Sequence, residues 1–238
     1  LRDELLFKQP ESSHIGDCPI CMLPLPNDPK KSTVYACCSK VICNGCDYAN
    51  SVRETEERLQ PSCPFCREPA PKTLEQSVKQ RMKRIKANDP VAFHVEGGEQ
   101  CDGGNYGMAF ECYTKAAQLG NADAHSKLAA MYHLGKGVEE DERKIFHHLG
   151  EAAIGGHPKA RYLLGNEELE NGNIDRAVKH WIIAAKQGEE KSIKLLMLAF
   201  KDGFISKDVL AATLRVHQAA VDATKSPQRE AAEQYYQC

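Results

Sequence analysis

Eight of the chain's 11 cysteines fall between Cys18 and Cys66, and their spacing is that of metal ligands. Cys18-Pro-Ile-Cys21, Cys43-Asn-Gly-Cys46 and Cys63-Pro-Phe-Cys66 are C-x-x-C knuckles, and Cys37-Cys38 is a fourth pair. A two-residue gap lets both thiolates of a knuckle point at one tetrahedral ion. A secreted disulfide scaffold also clusters its cysteines, but knuckle spacing favours metal over cross-links. Eight thiolates complete two four-sulfur sites, and zinc suits soft thiolates without adding redox chemistry, so the expected cofactors are two Zn2+ ions. Residues 14–70 bury too little apolar surface to fold unaided, and ligation must supply the folding energy. His14, ahead of the first knuckle, reads as an exposed tail residue. Cys101 and Cys112 read as packing thiols.

The elements around the knuckles are short. Tyr48, Val52, Thr55 and Leu59 recur at three- and four-residue steps, which predicts an amphipathic helix over 47–59, stopped by Pro61. The four cysteine pairs are separated by 15, 4 and 16 residues. This order resembles the RING finger family in its all-cysteine variant, over roughly residues 17–68. The adjacency of Cys37 and Cys38 departs from that family, whose second pair is usually split. The resemblance implies a small zinc-stapled α+β domain with interleaved sites. One zinc would take Cys18, Cys21, Cys43 and Cys46; the other would take Cys37, Cys38, Cys63 and Cys66.

The same resemblance implies a ubiquitin-protein ligase that forms no covalent intermediate of its own. Such a domain docks a conjugating enzyme charged with ubiquitin and gains rate by positioning. Ile20 and Pro64 in the outer knuckles, with Tyr48 or Val52 on the helix, would form its apolar patch. Arg67, just after the last cysteine, would bridge ubiquitin and the conjugating enzyme, a task that suits a guanidinium. The plainer alternative is a scaffold that transfers nothing, in which Ile20 and Pro64 only cover the metal sites and Arg67 is a solvated charge.

Beyond the knuckles, Pro69-Ala70-Pro71 ends the domain. Residues 72–86 read as a linker helix with Leu74, Val78, Met82 and Ile85 on one face and basic residues on the other. A repeat follows. Ala116-Ala117, Ala152-Ala153, Ala184-Ala185 and Ala219-Ala220 are spaced by 36, 32 and 35 residues, as stacked helix pairs would be. Three residues before each pair stands a large residue to fill the layer: Tyr113, Leu149, Trp181 and Val216. Gly120, Gly156 and Gly188 read as left-handed caps. This pattern resembles the Sel-one-like repeats, relatives of tetratricopeptide repeats. It implies an all-α solenoid of about four helix pairs whose groove binds a protein or peptide substrate.

The expected organisation is a tail over 1–13, the zinc domain over 14–70, a basic linker over 71–88, repeats over 89–222 and a polar, frayed tail over 223–238. The chain starts at Leu1 rather than methionine, as a fragment would, and a leader ahead of it stays open. With 31 Lys and Arg against 33 Asp and Glu, a formal charge of −2, the composition gives no support to bulk nucleic-acid binding. No apolar run spans a membrane. An intracellular setting, cytoplasmic or nuclear, is expected of reduced cysteines.

Overall fold

The structure, a computed structural model, describes residues 2–237, so Leu1 and Cys238 lie outside the described residues. Two compact units divide it. One joins the amino-terminal residues up to His14 to Phe93–Val221, and the other joins Ile15–Ala92 to the stretch from Asp222 onward.

The first unit is helical: α1 (Arg2–Leu6), α4 (Pro90–Asp102, from Phe93), α5 (Tyr106–Gln118), α6 (Ala122–Leu134), α7 (Glu142–Ile154), α8 (Pro158–Glu170), α9 (Ile174–Lys186), α10 (Glu190–Lys201) and α11 (Lys207–Ala223, to Val221). The turns are built alike. Gly120, Gly156 and Gly188 follow α5, α7 and α9 with φ of +88°, +85° and +87°, which glycine adopts without a Cβ clash. A side-chain cap then opens the next helix. Asn121 Oδ1 accepts from the Ala124 amide at 2.7 Å, and His157 Nδ1 accepts from Ala160 at 3.2 Å.

The first three double alanines are buried, whereas Ala219 is exposed, and each of three cores centres on the large residue ahead of its pair. Tyr113 packs with Leu128 and Met131, Leu149 with Ala129 and Leu164, and Trp181 with Val178 and Leu196. Small residues let the helices close up, and the aromatic or leucine side chain fills what remains. The last copy departs from the expected register: Val216 is 45% exposed and packs no layer. Helix α11 turns Leu210, Thr213 and Leu214 inward instead. Leu210 and Leu214 join the core of α9 and α10, and the aligned position faces away from it.

The second unit holds β1 (Ser32–Val34) and β2 (Val41–Cys43), antiparallel with Thr33 opposite Ile42, then α2 (Asn44–Glu56), α3 (Leu74–Lys86) and α12 (Pro227–Gln237). Its small core is Cys18, Leu25, Ile42, Cys43 and Cys46. Three expectations are corrected here. Helix α2 ends at Glu56, and its inward face is Cys46, Asn50 and Glu54, not Val52, Thr55 and Leu59. The reason is polar: Glu54 Oε1 accepts from the Ser62 amide at 3.0 Å and the Ser62 hydroxyl at 2.7 Å, and Asn50 donates to the Ser62 carbonyl. In α3, Leu74 and Met82 face outward while Arg81 is buried.

The carboxyl-terminal stretch is not frayed. Helix α12 packs on α2, with Ala232 and Arg229 buried and the Tyr235 ring 4.9 Å from that of Tyr48. Arg229 holds the contact by donating to the carbonyls of Pro24, Leu23 and Thr224. Glycine is required beneath it, because a Cβ on Gly45 would lie 2.8 Å from the Arg229 amide.

Candidate metal centre

The first and last knuckles share one local conformation. The Met22 amide donates to the Cys18 carbonyl and the Arg67 amide to the Cys63 carbonyl, both at 2.9 Å, and Met22 and Arg67 take positive φ (58° and 62°). Such a turn directs two sulfurs to the same side. Cys43 caps α2 and Cys46 lies in its first turn, so both sulfurs sit at the helix's positive end, which favours thiolates.

These elements bring the eight sulfurs into two groups. In each, all four lie within 4.8 Å of one another: Cys18, Cys21, Cys43 and Cys46 in one, and Cys37, Cys38, Cys63 and Cys66 in the other. The first pair meets the third and the second meets the fourth. All eight are free thiols. The Sγ–Sγ distances are 3.8 Å for Cys21–Cys43, 3.9 Å for Cys38–Cys63 and 3.4 Å for Cys37–Cys66. A tetrahedron with metal–sulfur bonds of about 2.3 Å has edges of about 3.8 Å, so the donor set and its spacing fit zinc. Four crowded thiols cannot all ionise without a cation. Hydrogen bonding from Cys43 draws Cys18 down to about 4, while burial lifts Cys46 to about 12 and Cys38 to about 11.

Around this centre, the expected partner-contact residues are scattered in exposure. Ile20 is 41% exposed and Val52 36% exposed. Pro64 is buried, contrary to expectation, and Phe65 is its exposed apolar neighbour. Tyr48 is half-buried, its ring tilted at 40° against that of Tyr235, and is not an open surface. Arg67 Nη1 donates to Asn50 Oδ1 at 2.9 Å. Sequence reasoning missed Arg229, whose Nη2 donates to Cys21 Sγ at 3.4 Å, since nothing local links it to a cysteine 208 positions away.

A third group lies in the helical unit. His14 is no exposed tail residue: its Nε2 is 3.1 Å from Asp123 Oδ1, and its ring stacks on His157 at 4.4 Å and 15°. Two parallel imidazoles cannot both aim in-plane lone pairs at one ion, and His157 Nδ1 is already a helix cap, so this group is a hydrogen-bonded clasp. Burial, then His14, pushes His157 down to about 4, and burial takes His180 to about 3. Neutral in the fold, both take up protons on unfolding below about pH 6.5. Stability of the helical unit should therefore fall as pH drops from 6.5 towards 4, by about 1.4 kcal/mol per pH unit per histidine. Thermal melts across that range check this; a flat midpoint contradicts it.

Residues 93–121, 122–157 and 158–189 match the Sel1 repeat in three successive copies. A Schizosaccharomyces pombe protein described as "Putative ERAD-associated E3 ubiquitin-protein ligase component" is 27% identical in an alignment of 128 residues that covers 49% of this chain. The chain spans 17% of that relative's length. A crystal structure of a Sel1 repeat protein from Oxalobacter formigenes aligns with a TM-score of 0.55 at 20% identity, covering 75% of this chain and 74% of its own. The helical unit thus carries Sel1-like repeats in an all-helical solenoid. No helix among the described residues is long and apolar enough to cross a membrane.

Proposed function

We propose that this chain is a zinc-binding RING-type ubiquitin-protein ligase whose helical repeats recruit a protein substrate or adaptor. The observation that carries the reading is the interleaved convergence of eight free thiols on two four-sulfur centres, beside the exposed apolar Ile20. Bound zinc would supply folding energy and no redox or acid–base chemistry. The chain's own residues do the rest. Ile20, with Phe65 in place of the buried Pro64, offers a shallow apolar grip for a charged conjugating enzyme. Arg67 carries five donors, of which Nη1 is engaged with Asn50, and it lies at the edge of the second centre. Holding a reactive thioester in one pose is a gain by orientation. The description of the fission yeast relative agrees with this class of activity.

A second reading, a zinc-stabilised scaffold that transfers nothing, draws on a specific observation: Pro64 and Tyr48 are both covered, which shrinks the docking patch. An autoubiquitination assay with a panel of conjugating enzymes separates the two. Ligation predicts chains with at least one enzyme and a loss of about tenfold or more for Ile20→Ala, as for an interface anchor. No chains with any enzyme, and unchanged partner binding for Ile20→Ala, would establish the scaffold.

A further inference from the structure

Residues 3–14 lie on the repeats as a bound peptide would. Helix α1 is five residues long, too short to persist alone, so it forms where its seat supplies contacts. Those contacts come from one face. The Asp3 carboxylate accepts from Arg176 Nη1 at 2.9 Å and Nη2 at 3.3 Å. Leu6 is buried among Leu149, Ala153 and Leu164 of α7 and α8, and its carbonyl accepts from Arg161 Nη1. The Phe7 ring stands 4.7 Å from the His180 ring, under the Arg176 guanidinium at 4.9 Å and Lys179 Nζ at 5.5 Å. Leu5, on the other face, is exposed. Further along, Pro10 and Ser12 lie against Gly156, and His14 reaches Asp123.

The seat holds polar groups that the repeat core does not need. Arg161 is 0% exposed, and its described hydrogen bonds run to carbonyls, those of Leu6 and Ala153, the latter at 2.6 Å. His180 is also fully buried, and neither ring nitrogen has a hydrogen-bond partner among the described residues. Burying a guanidinium and a bare imidazole is costly in a packed layer. A guanidinium that takes a carbonyl from another segment, beside an imidazole that takes its aromatic ring, is the equipment of a surface that reads a chain.

We infer that α7, α8 and α9 form a recognition seat for short helical segments of the pattern acid–x–x–Leu–Phe, which the chain's own Asp3–Phe7 fills in cis. This deepens the recruitment reading, on which it rests, by naming the partner's chemistry. Arg176 selects the acid, the pocket beside Leu149 and Leu164 takes the leucine, and His180 with Lys179 takes the aromatic ring. The tethered segment competes at an effective concentration in the millimolar range, so an outside peptide meets a largely filled seat.

The test titrates a fluorescein-labelled peptide of residues 3–14 into the full chain, followed by anisotropy. Leu6→Asp with Phe7→Ala in the chain, which empties the seat, should tighten peptide binding about tenfold or more over the unaltered chain. Arg176→Asp should reject that peptide and accept its Asp3→Arg version, reversing the preference. This second variant alters a partly exposed side chain and keeps the test valid if the emptied seat misfolds. Circular dichroism confirms that the variants fold. A folded, emptied chain that takes up no peptide at ~1 mM, the scale of the tethered competitor, overturns the inference. So does binding indifferent to the charge swap. Ubiquitin-chain formation is measured separately on the same preparations: chains without peptide binding would sink the seat alone, and peptide binding without chains would sink ligation alone.

Discussion

Stripping metal from the full chain with a tight chelator should melt the cysteine-rich unit and leave the repeat helices intact. Structural zinc sites supply about 10–16 kcal/mol of apparent binding energy each, far above the margin of a small domain. The core shows why this unit cannot do without it. Of its five buried members, Cys18, Cys43 and Cys46 are themselves ligand candidates, leaving Leu25 and Ile42 as the other apolar anchors. Helix α12 should detach as well, because Arg229 grips carbonyls of the first knuckle's loop. Hydrogen exchange read by peptide should show residues 15–70 and 227–237 losing protection while 106–200 keep theirs. Retained protection over 15–70 after complete chelation would show that packing, not ligation, shapes this unit.

Truncating Trp181 should be the most damaging single change in the repeats. The ring is 4% exposed, lies at the centre of the core shared by α9 and α10, and donates from Nε1 to Asn166 Oδ1 at 3.1 Å. Gly165 on α8 exists to make room for it: a Cβ there would stand 2.6 Å from the indole nitrogen. A hole of that size is not refilled by alanine-rich neighbours, so Trp181→Ala should cost about 3–5 kcal/mol. Urea unfolding followed by helical ellipticity measures it. A loss under about 1 kcal/mol would mean that the layer collapses around the gap and the ring is not its keystone.

The repeats were legible because their signals are local. A double alanine, a large residue three positions earlier and a glycine three or four positions later lie on one helix and its turn, and Tyr113, Leu149 and Trp181 fill the layers accordingly. Val216 shows where that ends: the spacing is kept, but α11 turns Leu210 and Leu214 to the core and leaves Val216 exposed. The cysteine pairs were legible for the same reason, each lying within four consecutive residues. What could not be read were faces set by distant chain. Hydropathy placed Val52 and Leu59 inward on α2, yet the inward residues are Asn50 and Glu54, held by hydrogen bonds to the loop at Ser62. Both chain ends looked polar and loose. Their few buried anchors, Leu6 and His14 at one end and Arg229 and Ala232 at the other, meet partners more than a hundred residues away that no periodicity announces.

Native mass spectrometry of the full chain, purified without added chelator, bears most directly on the cysteine centres. The expected species carries two zinc ions per chain with all eight thiols reduced, and Cys43→Ser carries one. A metal-free chain whose mass is lower by the hydrogens lost to disulfides would contradict the account, and the docking surface built on those centres would go with it.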